Sequence, residues 1–287
     1  MRRHRLALGL ALAVALTGLG GCGGGSSGSV SIPQIGAARQ FTLGRFTPAG
    51  SVAAGRPTMV SFTVQQPDGH PLTSYRTGTG PHTGVHLIIV RDDLAYIIHE
   101  HPPIGPGGVL RQSVRFPAPG RYRVLVDVYP NLPGGQPNFQ LFTTVHVAGA
   151  YHPRALPPVA AAQTVGGYHF VVHGNPALHA IQAQFVHVTI TDPAGRPVAF
   201  TPWFGALAHA IFFHQGSLDY FHTHVCGTGA ANCTSALGGS RVSGTATGPG
   251  NISLGVLLPV GGVWRLFLQM KLGGRVITAP YTLHVAG

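Results

Sequence analysis

The chain has 287 residues, with 17 arginines and one lysine against seven acids, for a formal charge of +11. Only 9% of residues are charged, and 42 glycines with 24 prolines point to turns and short strands rather than helices. The arginines are scattered, without a run of five or six basic residues, so the charge does not describe a nucleic-acid-binding protein.

Met1 to Arg5 (MRRHR) forms a basic n-region and Leu6 to Leu16 an apolar stretch too short to span a bilayer, the form of an export signal. It ends in Leu19-Gly20-Gly21-Cys22, which resembles the lipobox of bacterial lipoproteins. Cleavage there would leave Cys22 as the lipidated first residue, so residues 1–21 are expected as signal peptide. Residues 22–39 (opening GGGSSGS after Cys22) read as a flexible tether. The expected location is the cell envelope, exported and held extracytoplasmically on a membrane by lipid alone. Removing Arg2, Arg3 and Arg5 lowers the formal charge from +11 to +8.

Residues 40–148 read as a first domain. Alternating runs at Thr58 to Val64, Val109 to Phe116, Tyr122 to Val128 and Leu141 to Val147 are separated by Pro67-Asp68-Gly69 and Pro119-Gly120 turns. Residues 149–163 are a Pro/Ala linker. Residues 164–287 repeat the order, with Phe185 to Thr191, Ile252 to Leu258, Trp264 to Met270 and Val276 to Val285; both units end on HVAG, at His146 and His284. The expected fold is all-β: two tandem antiparallel, immunoglobulin-like (cupredoxin-like) β-sandwiches. Tyr122 and Trp264, each two residues after a turn glycine, are expected packing anchors.

Within each unit lies one stretch that the other repeats. VHLIIVRDDLAYIIHEHP (Val85 to Pro102) and AHAIFFHQGSLDYFHTHV (Ala208 to Val225) carry histidines at the same offsets, so His86, His99 and His101 map onto His209, His222 and His224. Each reads as a β-hairpin with a two-residue turn, Asp92-Asp93 or Gln215-Gly216, which sets His86 opposite His99 and His209 opposite His222. Because side chains alternate along a strand, each hairpin gathers three imidazoles on one face. Three such nitrogens are most of a Cu or Zn site; the plain alternative is a polar sheet edge. His82 could swing in as a fourth ligand, His214 is opposite in parity, and His146 and His284 fit inherited packing as well as ligation. His70, His152, His169, His173, His179 and His187 have no partners at ligand spacing.

Cys226 and Cys233, seven apart in a Gly-rich loop, read as a disulfide in an exported protein, or as two thiolate ligands beside His222 and His224. The pattern H-L-I-I-V-x-x-D-L-x-x-x-x-H-x-H-P at His86 to Pro102, followed by a Gly-rich segment and F-x-x-P-G-x-Y-x-x-x-x-D at Phe116 to Asp127, resembles the YtkA-like and related immunoglobulin-like domains of exported bacterial proteins. That resemblance covers the first domain and, more loosely, the second. It implies copper or other heavy-metal handling through His86, His99 and His101. The second copy departs from it, with Val225 and Cys226 in place of Pro102 and Pro103.

Met59 and Met270 are the only methionines after the leader, which argues against a methionine-lined Cu(I) site, and carboxylates are too scarce for Ca or Mg. Histidine ligands favour copper(II), then zinc. The expected function is metal binding for buffering or delivery at the envelope. The alternative is a non-enzymatic interaction module that binds an envelope protein partner or an anionic polymer without metal. Catalysis is not expected, since Asp219 is the one acid near the second triad and no nucleophile motif occurs.

Overall fold

The computed structural model describes residues 40–174, 177–227, 230, 233 and 241–287, with the backbone alone of 235–237 and 240. The export signal, Cys22 and the tether lie outside those residues.

The first half is built from β1 (Thr42–Thr47), β2 (Val52–Ala53), β3 (Pro57–Gln65), β4 (Val85–Arg91), β5 (Ile97–Glu100), β6 (Leu110–Arg115), β7 (Gly120–Val128) and β8 (Phe139–Ala148). They make two sheets, β1-β3-β6 and β2-β8-β7-β4-β5, with the short β2 parallel to β8 and the other pairs antiparallel. Three strands facing a sheet that carries the hairpin β4-β5 at its edge, next to β7 and β8, is an immunoglobulin-like arrangement. The alternation in β8 shows why the sheets face each other. Phe139, Leu141, Val145 and Val147 are buried while Phe142, Thr144 and His146 are exposed. They join Phe62, Leu87, Ile89 and Val126 in one core.

The second half comprises β9 (Ala162–Val165), β10 (Tyr168–His173), β11 (Leu178–His179), β12 (Gln184–Thr191), β13 (Ala208–His214), β14 (Tyr220–Cys226), β15 (Ser235–Leu237), β16 (Ser240–Val242), β17 (Gly244–Gly248), β18 (Asn251–Val256), β19 (Gly262–Leu272) and β20 (Arg275–Ala286). Here the two layers are one continuous sheet, β11-β20-β19-β13-β14-β17-β18-β12-β10-β9. Strand β17 joins them by lying parallel to β14 and antiparallel to β18. It fits there because of Gly244, where a Cβ would stand 2.7 Å from Ser253 O and 2.9 Å from His224 O. Strand β9 begins at Ala162, inside the segment expected as linker.

Tyr122 and Trp264 are both fully buried. Tyr122 donates its hydroxyl to Ala118 O at 2.9 Å, and Trp264 donates its indole N–H to Val260 O at 3.0 Å. Each therefore clamps the turn four residues upstream, the tyrosine-corner arrangement of immunoglobulin-like domains.

Strand β4 is buried at all seven positions and β13 at six of seven. A strand buried on both faces needs a second layer over its outer face. Leu87 and Ile89 point into the first core. Ile88, Val90, Leu94 and Leu125 point the other way and pack against Ile211, Phe213, Leu218 and Phe267 of the second half. Fully burying side chains of this size stabilises by roughly 1.5–3 kcal/mol each. The outer faces of the two hairpin sheets thus form a shared third core. The linker is strapped to it: Leu156 packs on this cluster, and Arg154 N–H donates to Asp93 Oδ2 at 2.8 Å. Asp93 is itself paired with Arg91 at 2.6 Å.

Neither hairpin turn is the expected two-residue one. Arg91 N–H donates to Tyr96 O at 3.1 Å and His214 N–H to Asp219 O at 2.9 Å, so each loop has four residues. Leu94 and Leu218 both take φ +59° to close them. The register moves by two: Ile88 pairs with His99 and Leu87 with Glu100, which sets His86 opposite His101. In the second hairpin His209 pairs with His224 and Ile211 with His222. The expected pairing of His86 with His99 and of His209 with His222 is corrected accordingly. A shift of two preserves side-chain parity, so each triad still shares one face.

Candidate metal centre

His86 and His209 sit at the starts of β4 and β13, on the faces that meet in the shared core. Across the next strand, His86 pairs with Asp127 of β7 and His209 with Gln269 of β19. Since both triads lie on the outer faces of their sheets, packing those faces together merges them. His86 reaches His222 with ring centroids 5.1 Å apart, and His99 reaches His209 at 4.9 Å. The two contacts are related by the duplication, because His86 maps to His209 and His222 to His99. The six expected residues form one cluster rather than two, buried except for His101, which is half-buried at its rim.

His82 joins from the loop before β4. Its ring stacks on Tyr129 at 5.2 Å and meets His224 of the other half edge-on at 4.8 Å. His101 stacks flat on Phe204 at 3.9 Å. His214 stays apart at the hairpin tip, bonded to Ser217 Oγ at 2.8 Å, and His146 and His284 are exposed. Cys226 and Cys233 are joined as a disulfide, so neither offers a thiolate to the cluster. Asp219 is bonded to Ser217 at 2.7 Å, at the opposite end of the hairpin from His209 and His224.

The hydrogen bonds fix several ring tautomers. His86 Nε2 lies 2.7 Å from Pro81 O and His209 Nε2 lies 2.9 Å from Trp203 O. A carbonyl oxygen only accepts, so both Nε2 atoms carry protons and both Nδ1 atoms present lone pairs. His99 Nδ1 donates to Gln269 Oε1 at 3.1 Å, which leaves His99 Nε2 free, 3.2 Å from His101 Nε2. His222 lies between the two lone pairs. Its Nδ1 is 3.3 Å from His86 Nδ1 and its Nε2 is 3.3 Å from His209 Nδ1. A neutral His222 has one proton and can satisfy one of these contacts, while the other sets lone pair against lone pair. Both ring nitrogens of His224 are buried without any hydrogen-bond partner.

Protonation does not resolve this conflict. Burial is the largest cause holding all seven imidazoles below the usual histidine range, and the neighbouring rings add to it for most of them. His82 and His209 are lowered to about 4 and His101 to about 3. The cluster is therefore neutral near pH 7, the form in which imidazole ligates metal.

Two groups of three bring one ligand nitrogen each to within 4.8 Å of the others: His86 with His99 and His222, and His209 with His222 and His224. Nitrogens held tetrahedrally at the Zn–N length of about 2.05 Å stand about 3.3 Å apart, the separation seen at both contacts of His222. The far nitrogens of His86, His209 and His99 donate to two backbone carbonyls and an amide, as the outer shell of a metal site does. Beneath the cluster, burial raises the Asp127 carboxyl to about 6, against hydrogen bonds from Asn138, Gln140 and Tyr129 that lower it.

Sequence reasoning placed the six histidines and held His82 in reserve. It left open whether the two domains share a site, and it missed Gln269 and Trp203. The position of Gln269 was available through the duplication, since it stands opposite His209 as Asp127 stands opposite His86.

The chain matches the family described as "Domain of unknown function (DUF8832)" over residues 43–149 and 163–287, and belongs to it. No curated protein matches the chain. Similar solved structures include a Salmonella alpha-2-macroglobulin, 15% identical with a TM-score of 0.26, covering 86% of this chain and 14% of that one. Invasin, a bacterial integrin-binding protein, is 15% identical with a TM-score of 0.23, over 86% of this chain and 39% of that one. The fibronectin(III)-like modules of Clostridium thermocellum CbhA are 9% identical with a TM-score of 0.22, over 86% of this chain and 93% of the other. The chain spans well under two thirds of the first two. Likenesses of this size say nothing of function, and the immunoglobulin-like assignment rests on the strand order above.

Proposed function

We propose that the chain is a lipid-anchored metal-binding protein of the bacterial cell envelope that holds copper(II) or zinc between its two sandwiches, for buffering or delivery. One observation carries the reading: histidines on two separate hairpins converge in a buried cluster whose lone pairs oppose one another at ligand spacing. Burying five imidazoles in this way, with His82 and His101 half-buried beside them, is costly without a cation to satisfy them. The donor set is nitrogen alone, which suits copper(II) and zinc. Among the described residues Met270 belongs to the second core and Met59 is 54% exposed, so neither thioether serves the cluster. The resemblance of the first hairpin to YtkA-like domains supports metal handling. The lipobox-like Leu19 to Cys22 supports the anchor.

Titration of the purified chain with Cu(II) or Zn(II), following metal per chain by mass spectrometry and the melting temperature, tests the reading. Metal bound by the folded state alone raises the melting temperature with concentration. Absence of binding in the micromolar range would overturn it. Partner binding that persists under chelation would then favour the interaction module.

A further inference from the structure

On the reading that the cluster binds metal, we propose that it holds two ions and that His222 bridges them through its two ring nitrogens. His222 belongs to both ligand groups, with His86 and His99 on one side and with His209 and His224 on the other. Its Nδ1 faces the lone pair of His86 and its Nε2 the lone pair of His209, each at 3.3 Å. No protonation state of the ring satisfies both contacts while it is neutral, whereas a cation on each side does. Of the buried histidines in the two groups, His86, His99 and His209 spend their second nitrogen on a protein acceptor, so each serves one ion. His222 and His224 spend neither, and of these two His222 alone belongs to both groups. The half-buried His101, 3.2 Å from His99, is placed to complete the first site, and His82, edge-on to His224, the second.

The proton balance is simple. Neutral His222 carries one ring proton, and its first nitrogen ligates one ion through the lone pair. Ligation of the second ion breaks the remaining N–H bond and passes the proton to solvent, leaving an imidazolate that gives one electron pair to each metal. Nothing is oxidised or reduced.

Copper(II) chloride titrated into the full chain, read by electron paramagnetic resonance, tests this directly. Two copper ions on one imidazolate couple antiferromagnetically. The expected result is two coppers per chain, a low-temperature signal well below two spins, and one extra proton released with the second equivalent. His224→Ala, with its fold checked by circular dichroism, should bind one copper with full signal. Two coppers with full uncoupled intensity, or saturation of the wild-type chain at one copper, would overturn the bridge while leaving metal binding intact. No copper bound at all would overturn both readings.

Discussion

The two hairpins come from one duplicated pattern, yet the histidines that correspond, His99 and His222, have diverged in what surrounds them. The position opposite the first histidine is Gln269 in the second half, and its amide reaches across to take the N–H of His99. In the first half that position is Asp127, whose carboxylate is occupied by Tyr129, Asn138 and Gln140, so nothing takes a proton from His222. One ring is held in a single tautomer and serves one side; the other is free on both nitrogens. The loops differ likewise, with His82 entering from the first and the Trp203 carbonyl with Phe204 from the second. Duplication made a pseudo-symmetric face-to-face pair, and a few substitutions around it made the two halves of the cluster unequal.

Acid should give the largest effect, acting through the clustered rings. The folded-state pKa values of the seven clustered rings lie below the unfolded value, so the unfolded chain binds more protons between about pH 6.5 and pH 4. Stability of the metal-free chain is full above pH 6.5 and falls as pH drops through that window, by about 1.4 kcal/mol per pH unit for each proton taken up. Urea melts at pH 7, 6 and 5 check this, and a flat profile would contradict the burial of the cluster.

The turns sharpen the contrast next. Asp93 in the first turn is buried against Arg91, with side chains 5% and 3% exposed, whereas its counterpart is Gly216. Asp93→Asn leaves the guanidinium without its carboxylate and also weakens the bond from Arg154 that straps the linker. The expected loss is about 3–5 kcal/mol, read as a lowered denaturant midpoint. An Arg121→Ala control, whose ion pair with Asp92 is exposed, should cost about 1 kcal/mol or less.

Gln269→Leu should make His99 as unanchored as His222. Loss of such an outer-shell partner lowers metal affinity about 10–100-fold, and isothermal titration should show it with stoichiometry unchanged. At the corners the effect is confined to stability: Tyr122→Phe deletes the bond to Ala118 and should cost about 0.5–1.5 kcal/mol in a thermal melt without altering metal affinity.

Much of this arrangement was legible in the sequence. The repeated offsets located both triads, and strand parity put each on one face despite a register wrong by two. The register itself depended on Leu94 and Leu218 adopting positive φ, which leucine rarely does and no turn motif signals. The meeting of the triads was harder to see. Ile88, Val90, Ile211 and Phe213 read as ordinary core, and a run apolar on both faces does not say which layer covers the second one. HLIIV and HAIFF carry that information only when the duplication is taken together with it: two copies of one apolar outer face are each other's natural cover.

The most direct test of a shared site is metal titration of His222→Ala, which removes a residue of the second sandwich alone. His86, His99 and His101 remain intact in that variant. If the two halves share one centre, the ion held by the first sandwich is lost along with that of the second, and affinity at both falls more than about 100-fold. One metal still bound per chain at wild-type affinity would mean that the triads act independently, and the shared centre would be wrong.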